Sequence, residues 1–498
     1  MSKTIYPATL LCDFYKISHR EQYPEGTTKV YSTWTPRRSL IKGIDNVVVF
    51  GIQAFVHKYL VEYFKEHFFN RSKEEVIAEY ERIIKHTLNP EVIGSSHIAE
   101  LHDLGYLPIK VCALKEGTVV PVRTPILTIE NTHPDFFWLT NYFETLMSCE
   151  LWMPSTSATI AKRYRDILDK YAKETSSCPA AVDFQAHDFS MRGMSSVESA
   201  AASGAGHLLS FTGTDNIPAI NYLEKYYHAN VENELVGTSI PATEHSVMCS
   251  YGQNELKSYK RLITEVYPKG FVSIVSDTWD FWHVVTSVIP QLKDEIMNRD
   301  GRVVIRPDSG DPVKIICGNS EGKTEAERNG LIYTLYKIFG GSVNKKGYAE
   351  LDSHIGAIYG DSITLERAEE ICKQLKAKGF ASTNVVFGVG SFSYQYNTRD
   401  TFGFALKSTY CVVNSEERMI FKNPKTDTSK FKKSQKGMVV VSCKNGEWIY
   451  TDNLVKESHD SLCTDPTVNK LKVVFEDGTF CDYNTLQNIR DILKNPNF

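Results

Sequence analysis

No window of this 498-residue chain approaches the ~20 consecutive apolar residues that a membrane-spanning helix requires. Charge of either sign is not in excess: 56 Lys and Arg stand against 60 Asp and Glu, a net of −4, so neither nucleic acid nor a membrane surface is expected as a partner. The 11 cysteines are odd in number and scattered, and none falls in Cys-x-x-Cys spacing. That pattern supports neither a zinc site nor a disulfide framework and fits free thiols in a reducing compartment. Residues Met1 to Pro7 hold no long apolar core, so no secretory leader is expected and a cytoplasmic location is. Internal repeats and low-complexity tracts are also missing. What remains, 42% hydrophobic and 23% charged, is an ordinary globular composition with length for a large barrel plus a second layer.

Within that composition six short apolar runs each end on a polar or glycine cluster. Val182–Asp188 leads into Phe189-Ser190-Met191-Arg192-Gly193, Leu208–Phe211 into Gly213-Thr214-Asp215, and Val272–Val275 into Ser276-Asp277. Val303–Ile305 leads into Arg306-Pro307-Asp308-Ser309-Gly310, Ile355–Tyr359 into Gly360-Asp361-Ser362, and Val385–Phe387 into Gly388-Val389-Gly390-Ser391. Helical segments follow nearly every run, Ser195–Ser203 and Thr364–Lys378 among them. Strand, loop and helix in alternation is how a (β/α) barrel gathers its chemistry on one rim. A rim rich in Asp, with Arg at two loops, suits a phosphorylated, polyhydroxylated, magnesium-bound substrate.

The flanks read differently. Phe55–Phe64 and Lys73–His86 carry helical periodicity, whereas Ile109–Ala113, Thr118–Val122 and Ile126–Ile129 read as one small antiparallel unit. Near the other end, Asn445-Gly446 separates Val439–Cys443 from Trp448–Tyr450, and Asp477-Gly478 separates Leu471–Phe475 from Thr479–Asp482. Both dipeptides are hairpin signals, because a type I′ turn needs positive φ at two successive residues. The expected fold class is α/β: an irregular (β/α) barrel over 150–399, with a discontinuous α+β domain rich in antiparallel strands formed by 1–149 together with 400–498.

Taken singly, the loop motifs leave alternatives open. His187-Asp188-Phe189 is either a buried His–Asp pair with a core aromatic, or a stacking platform for a flat ligand with Arg192 holding an anion. Thr214-Asp215 and Glu244-His245-Ser246 read equally as helix caps. Asp277 and Asp280 fit either metal binding or a helix N-terminus. Arg306-Pro307-Asp308-Ser309-Gly310 is more specific, since it offers a cation, a carboxylate and backbone donors to one ligand. Gly390 and Ser391 sit in a late-strand glycine loop of the kind that cradles phosphate. The lysine run Lys425–Lys436 reads by itself as a solvated loop.

Together with Asp13-Phe14-Tyr15-Lys16, Gln22-Tyr23-Pro24, Lys29-Val30-Tyr31-Ser32, Trp138-Leu139-Thr140-Asn141, Thr398-Arg399-Asp400 and Phe421-Lys422, these motifs run in order over nearly the whole chain. In this they resemble the nicotinamide phosphoribosyltransferase family. The resemblance implies a homodimer with active sites at the interface, in which Phe189 and the other subunit's Tyr15 sandwich nicotinamide and Asp215 accepts from its carboxamide. It further implies that Arg192, His245 and Arg306 line the diphosphate site. Asp308, Gly360 and Asp361 hold the ribose. Gly390, Ser391, Arg399, Lys407, Lys422 and Lys430 meet the 5′-phosphate. His245, Arg306 and Asp308 are the expected catalytic group, and Asp277, Asp280, Asp308 and Asp361 the expected Mg²⁺ holders, directly or through water. ATP is implied as a stimulating co-substrate that phosphorylates His245.

Three positions depart from the family pattern. Ser391-Phe392 replaces the end of a glycine triplet, Ala405 stands for a serine, and Tyr396 stands for a lysine. The implied reaction joins nicotinamide to phosphoribosyl pyrophosphate, giving nicotinamide mononucleotide and pyrophosphate in NAD salvage. Alternatives are a nicotinate phosphoribosyltransferase, a barrel glycosidase using paired carboxylates, and a non-catalytic binder. The glycosidase would need no lysine and glycine phosphate cradle, and the binder would be expected to have lost His245 or Arg306.

Overall fold

The computed structural model describes residues 6–88, 94–422, 425–426, 434–465, 467–481 and 483–495. They form two compact units, one of residues 1–159, 223–229 and 397–498, the other of 160–222 and 230–396. Among the described residues no helix is long and apolar enough to cross a membrane.

The second unit is organised by a parallel sheet of six strands in the order Gly213–Thr214, Ala186–Asp188, Val385–Val389, Ile355–Tyr359, Val303–Arg306, Val272–Val275. Strands such as Val272–Val275 and Ile355–Tyr359 are buried at every position, as expected of parallel strands covered on both faces. An extended segment closes the sheet. Thr238 bridges Gly213 at one edge and Ala242 bridges Ser273 at the other, with Thr214 N–H donating to Thr238 O (2.9 Å) and Ser273 N–H to Pro241 O (2.9 Å). The sheet thus returns on itself as an irregular barrel. Residues 238–243 are a stave that sequence periodicity did not mark, because Pro241 and the polar Thr and Ser positions hide it.

Two expected strands differ. Pro179–Phe184 is a helical turn, so the strand after it shortens to Ala186–Asp188. Leu208–Phe211 is not a strand but the tail of the helix Val197–His207, which extends past the expected end at Ser203. That helix tolerates Gly204 in its interior because Asn216 and Ala219 lie so close that a Cβ there would overlap both. The helix Leu365–Ala377 begins where the sequence places it, with the Thr364 side chain accepting from Arg367 N–H.

In the first unit a seven-stranded sheet interleaves the two ends of the chain. Its order is Glu416–Met419, Ala405–Val413, Thr27–Thr35, Leu127–Asn131, Ile109–Ala113, Lys472–Glu476, Thr479–Phe480. Thr27–Thr35 pairs antiparallel with Ala405–Val413, and Ile109–Ala113 with both Leu127–Asn131 and Lys472–Glu476. The expected middle strand leaves this sheet: Val119–Pro121 pairs with Asn46–Val48 instead. Both hairpins form, with φ of 52° at Asn445 and 49° at Asp477, each followed by a glycine at 81°.

The unit boundaries also fall elsewhere than the sequence placed them. The first stretch of the first unit runs on to residue 159, inside the continuous helix Glu144–Thr175, rather than ending near 149/150. Residues Leu223–Ala229 join the first unit. There Tyr227 Oη donates to the buried Glu116 carboxylate (2.8 Å), which also accepts from Gly51 N–H (3.0 Å) and Gln53 N–H (2.6 Å).

Candidate active site

The loops that leave the C-terminal ends of the barrel strands surround a cavity of about 1130 Å³. Phe189, Arg192, Asp215, His245, Arg306, Asp308, Gly360, Asp361, Gly390 and Ser391 all line it. These ten expected site residues lie as many as 202 positions apart in sequence (391 − 189), and strand order brings them together.

Phe189 follows directly on the strand Ala186–Asp188. Its ring lies so close to Gly388 on the neighbouring strand that a Cβ at 388 would overlap it, so glycine there makes room for the aromatic ring. Beside it, Asp215 accepts from Nε2 of His187 (2.8 Å) and from Ser239 Oγ (2.6 Å), both on Oδ1. Partial burial would raise the Asp215 pKa, but those two hydrogen bonds, with the charges of His187 and Arg306, hold it below the ordinary carboxylate value. Asp215 is therefore an anion at neutral pH.

Arg306 ends the strand Val303–Arg306, and its Nη2 lies 3.3 Å from Asp308 Oδ2. Two buried polar atoms of this pair, Arg306 Nε and Asp308 Oδ1, find no hydrogen-bond partner among the described residues. Native structures rarely leave such atoms unsatisfied, and a site that binds an anion and a cation or hydroxyl accounts for both. Gly360 makes room for the carboxylate, since a Cβ at 360 would overlap Asp308 Oδ1. Burial, together with the negative charges of Asp277 and Asp361, raises the Asp308 pKa despite Arg306.

Asp277 occupies a different position from its neighbours. Its side chain is 5% exposed, and its Oδ1 faces His245 Nε2 at 3.0 Å. Its Oδ2 accepts from Asp308 N–H (3.0 Å) and Ser309 Oγ (2.5 Å). Burial opposes ionisation, but these bonds and His245 bring the Asp277 pKa below its usual value. Asp277 thus fixes both the His245 ring and the Arg306–Gly310 loop. Asp280 caps the helix Phe281–His283, accepting from His283 N–H at 3.0 Å, and does not line the cavity.

Gly390 and Ser391 open the helical turn Ser391–Tyr394, and Gly193 approaches so closely that a Cβ there would overlap Ser391 Oγ. The unusual residues of this loop stack on each other: the Phe392 and Tyr396 rings are 5.2 Å apart and 11° from parallel. Ser239 and Arg367 were not singled out in the sequence. Ser239 lies on the unmarked stave, and Arg367, which lines the cavity and donates to Ser362 O (2.6 Å), sits inside a helix like any solvated arginine.

The other expected site residues belong to the first unit. Tyr15 and Lys407 line a separate recess of about 430 Å³ with Lys16 and Glu144, and Arg399 shares a smaller one with Tyr15 and Glu144. Glu144 anchors this group, accepting from Lys16 and from Lys407 Nζ (3.3 Å). Lys422 is exposed, its backbone N–H donating to Ser434 Oγ (3.1 Å), and Lys430 lies outside the described residues.

Residues 184–479 match the Nicotinate phosphoribosyltransferase (NAPRTase) family, and residues 8–111 match the Nicotinamide phosphoribosyltransferase N-terminal domain. The chain is 47% identical to the nicotinamide phosphoribosyltransferase of Acinetobacter baylyi, over 99% of this chain and 98% of that one. It is 37% identical to the enzyme of the same name from Mycoplasma pneumoniae, over 84% and 93%. Among solved structures, a nicotinate-nucleotide pyrophosphorylase from Pyrococcus furiosus superimposes with a TM-score of 0.59 at 15% identity, over 99% of this chain and 97% of that one. At that identity the likeness speaks for the fold alone.

Proposed function

The chain belongs to the nicotinamide phosphoribosyltransferase family, and on that premise we propose that it transfers the 5-phosphoribosyl group of phosphoribosyl pyrophosphate to nicotinamide. The products are nicotinamide mononucleotide and pyrophosphate, a step of NAD salvage. The observation that carries this reading is the juxtaposition, in one cavity, of the anionic Asp215 and the Phe189 ring with Arg306 Nε and Asp308 Oδ1, which have no hydrogen-bond partner among the described residues.

The pyridine nitrogen attacks with its own lone pair and has no proton to lose, so the reaction needs no general base. Its barrier lies in breaking the bond between C1′ and pyrophosphate as positive charge develops on the ribose. Fixed donors aimed at the leaving group, and a ring held in line, are what such a step requires. Arg306, Arg192 and His245 supply the first, and Phe189 with Asp215 the second. Asp277 acts through His245 and the Arg306–Gly310 loop rather than on substrate.

Mg²⁺ fits the donor set in part. Among the described residues no three His, Cys, Asp or Glu side chains converge on one point. A cation that keeps waters and shares substrate oxygens needs only one or two carboxylates, and Asp308 with its buried Oδ1, together with Asp361, answers that need. When bound there it would neutralise charge on the pyrophosphate. ATP is proposed as a stimulating co-substrate acting at His245, whose ring is 47% exposed and oriented by Asp277. Homodimer formation would bring Tyr15, Arg399 and Lys407 of one copy to the cavity of the other, in the cytoplasm. The test is direct: purified protein with nicotinamide, phosphoribosyl pyrophosphate and Mg²⁺ releases pyrophosphate in step with mononucleotide. Release with nicotinate alone would replace this reading by the nicotinate one.

A further inference from the structure

Three arginines line the barrel cavity, and Arg367 is the one that the transfer step leaves without a role. It sits in the first turn of the helix Leu365–Ala377, where Thr364 Oγ1 accepts from its backbone N–H (3.3 Å). That end of a helix dipole favours anions, so a guanidinium there gains nothing from the helix that carries it. One arm is fixed: Nη1 donates to Ser362 O (2.6 Å), the carbonyl of a residue held at φ 51°. Among the described residues this guanidinium makes no ion pair, whereas Arg306 in the same cavity has Asp308. A half-buried cation, oriented at one nitrogen and without a counter-ion, suits an incoming anion.

Its surroundings indicate which anion. The carbonyl of Ile363 accepts from Tyr164 Oη (2.8 Å) and Ser393 Oγ (3.4 Å), and those two hydroxyls are 2.8 Å apart. The segment that carries Arg367 is thereby tied to the helical turn Ser391–Tyr394, at the loop of Gly390 and Ser391. Round the closed rim the strands divide the cavity into three parts. Ala186–Asp188 and Gly213–Thr214 deliver Phe189 and Asp215, the part proposed for the base. Val303–Arg306 and Val272–Val275 deliver Arg306, Asp308 and the Asp277 that orients His245, the part proposed for the leaving pyrophosphate. Between them Val385–Val389 and Ile355–Tyr359 deliver Gly390, Ser391 and, through residues 360–364, Arg367. One anionic group of the substrate is left for this third part, the 5′-phosphate.

We infer that Arg367 binds the 5′-phosphate of phosphoribosyl pyrophosphate and of the mononucleotide product, adding a cation from within the barrel to the backbone donors of Gly390 and Ser391. The ligand's identity rests on the phosphoribosyl reading of this cavity. Nη2 and Nε, which Ser362 does not engage, are the donors left for the phosphate, and such bonds are charge-assisted and directional.

Nicotinamide mononucleotide and nicotinamide riboside differ only in that phosphate, so their affinities for the native protein and for Arg367→Gln, read by ligand-observed NMR beside that of magnesium pyrophosphate, make the test. Arg367→Gln should weaken the mononucleotide about 10-fold or more, the effect of losing a charge-assisted hydrogen bond, and leave the riboside and pyrophosphate unchanged. In turnover the KM for phosphoribosyl pyrophosphate should rise by a similar factor while the KM for nicotinamide holds. An arginine that only braced residues 360–364 would weaken riboside and mononucleotide alike, and that outcome overturns the inference. So does an unchanged mononucleotide affinity in a variant with the native melt. Where the variant's melt falls, phenylglyoxal on the native protein decides instead, followed by peptide mass spectrometry: the mononucleotide and not the riboside should shield Arg367, and equal modification under the two overturns the inference. Native protein that binds the mononucleotide through Arg367 yet releases no pyrophosphate from the two substrates would refute the proposed transfer and leave Arg367 its ligand.

Discussion

Replacing Asp215 by Asn isolates the feature that separates nicotinamide from nicotinate. In the native site both protein donors, His187 and Ser239, bond Oδ1, so Oδ2 is the oxygen left to accept from a substrate carboxamide. A hydrogen bond to a charged acceptor contributes about 1.5–3 kcal/mol. Nicotinate would set a second carboxylate against the first. At about 4 Å and an effective dielectric near 20, that repulsion is about 4 kcal/mol. The Asp215 side chain is 46% exposed, so screening by water cuts the figure to about half. A preference for nicotinamide of at least about 10²-fold in kcat/KM follows, at 1.4 kcal/mol per decade. In Asp215→Asn the amide oxygen keeps the bonds from His187 and Ser239, and Nδ2 takes the place of Oδ2. The repulsion vanishes and a donor faces the base. Nicotinamide turnover should fall about 10-fold or more, nicotinate turnover should hold or rise, and the preference should shrink below about 10-fold. Competition of the two bases for limiting phosphoribosyl pyrophosphate, with both mononucleotides quantified by mass spectrometry, reads the ratio in one vessel. Equal use of the bases by the native protein, or an unchanged ratio in the variant, refutes the assignment of Asp215.

Arg306→Ala should lower kcat/KM by about 10²-fold or more, as the loss of a preorganised donor does, while the thermal melt moves little; a loss below about 3-fold would remove Arg306 from transition-state stabilisation. If the proposed homodimer shares its sites, mixing the inactive Tyr15→Ala and Phe189→Ala proteins should restore part of the activity, because one site of each hybrid would be intact, and no recovery after verified subunit exchange argues against a shared site. Asp308→Asn should abolish most transfer yet raise the thermal midpoint at neutral pH. The folded-state pKa of Asp308 is raised, so its carboxylate weakens the native protein once pH exceeds the unfolded value, and the penalty reaches full size above the folded one. The gain in melting temperature should therefore shrink as pH falls through that window, and a loss of stability at neutral pH would show that the buried carboxylate is favourable.

Local rules made much of the fold legible, and failures trace to one cause. Asn445-Gly446 and Asp477-Gly478 form the turns expected, because the demand for positive φ is local. Val272–Val275 and Ile355–Tyr359 were readable as strands because burial on both faces leaves an unbroken apolar run. Leu208–Phe211 has the same apolar look, but packing of Gly204 on Asn216 and Ala219 carries the helix onward and turns the run into its tail. An apolar run of that length does not distinguish a strand from the end of a buried helix. Residues 238–243 failed in the opposite sense, since their partners on two edge strands, not their own pattern, make them a stave.

The same division runs through the four aspartates read as candidates for magnesium. Asp280 spends its carboxylate on a helix cap. Asp277 commits one oxygen to His245 and the other to Asp308 N–H and Ser309. Asp361 lines the cavity, and Asp308 alone of the four keeps a buried oxygen without a partner among the described residues. Spacing along the chain gives all four the same standing. Their separation arises because Ile355–Tyr359 lies beside Val303–Arg306 in register, Ala357 opposite Ile305, which delivers Gly360 to the carboxylate of Asp308. Any side chain at 360 would occupy the place of that oxygen. Gly360 and Asp308 are therefore a single device, assembled from 52 residues apart (360 − 308) by strand pairing.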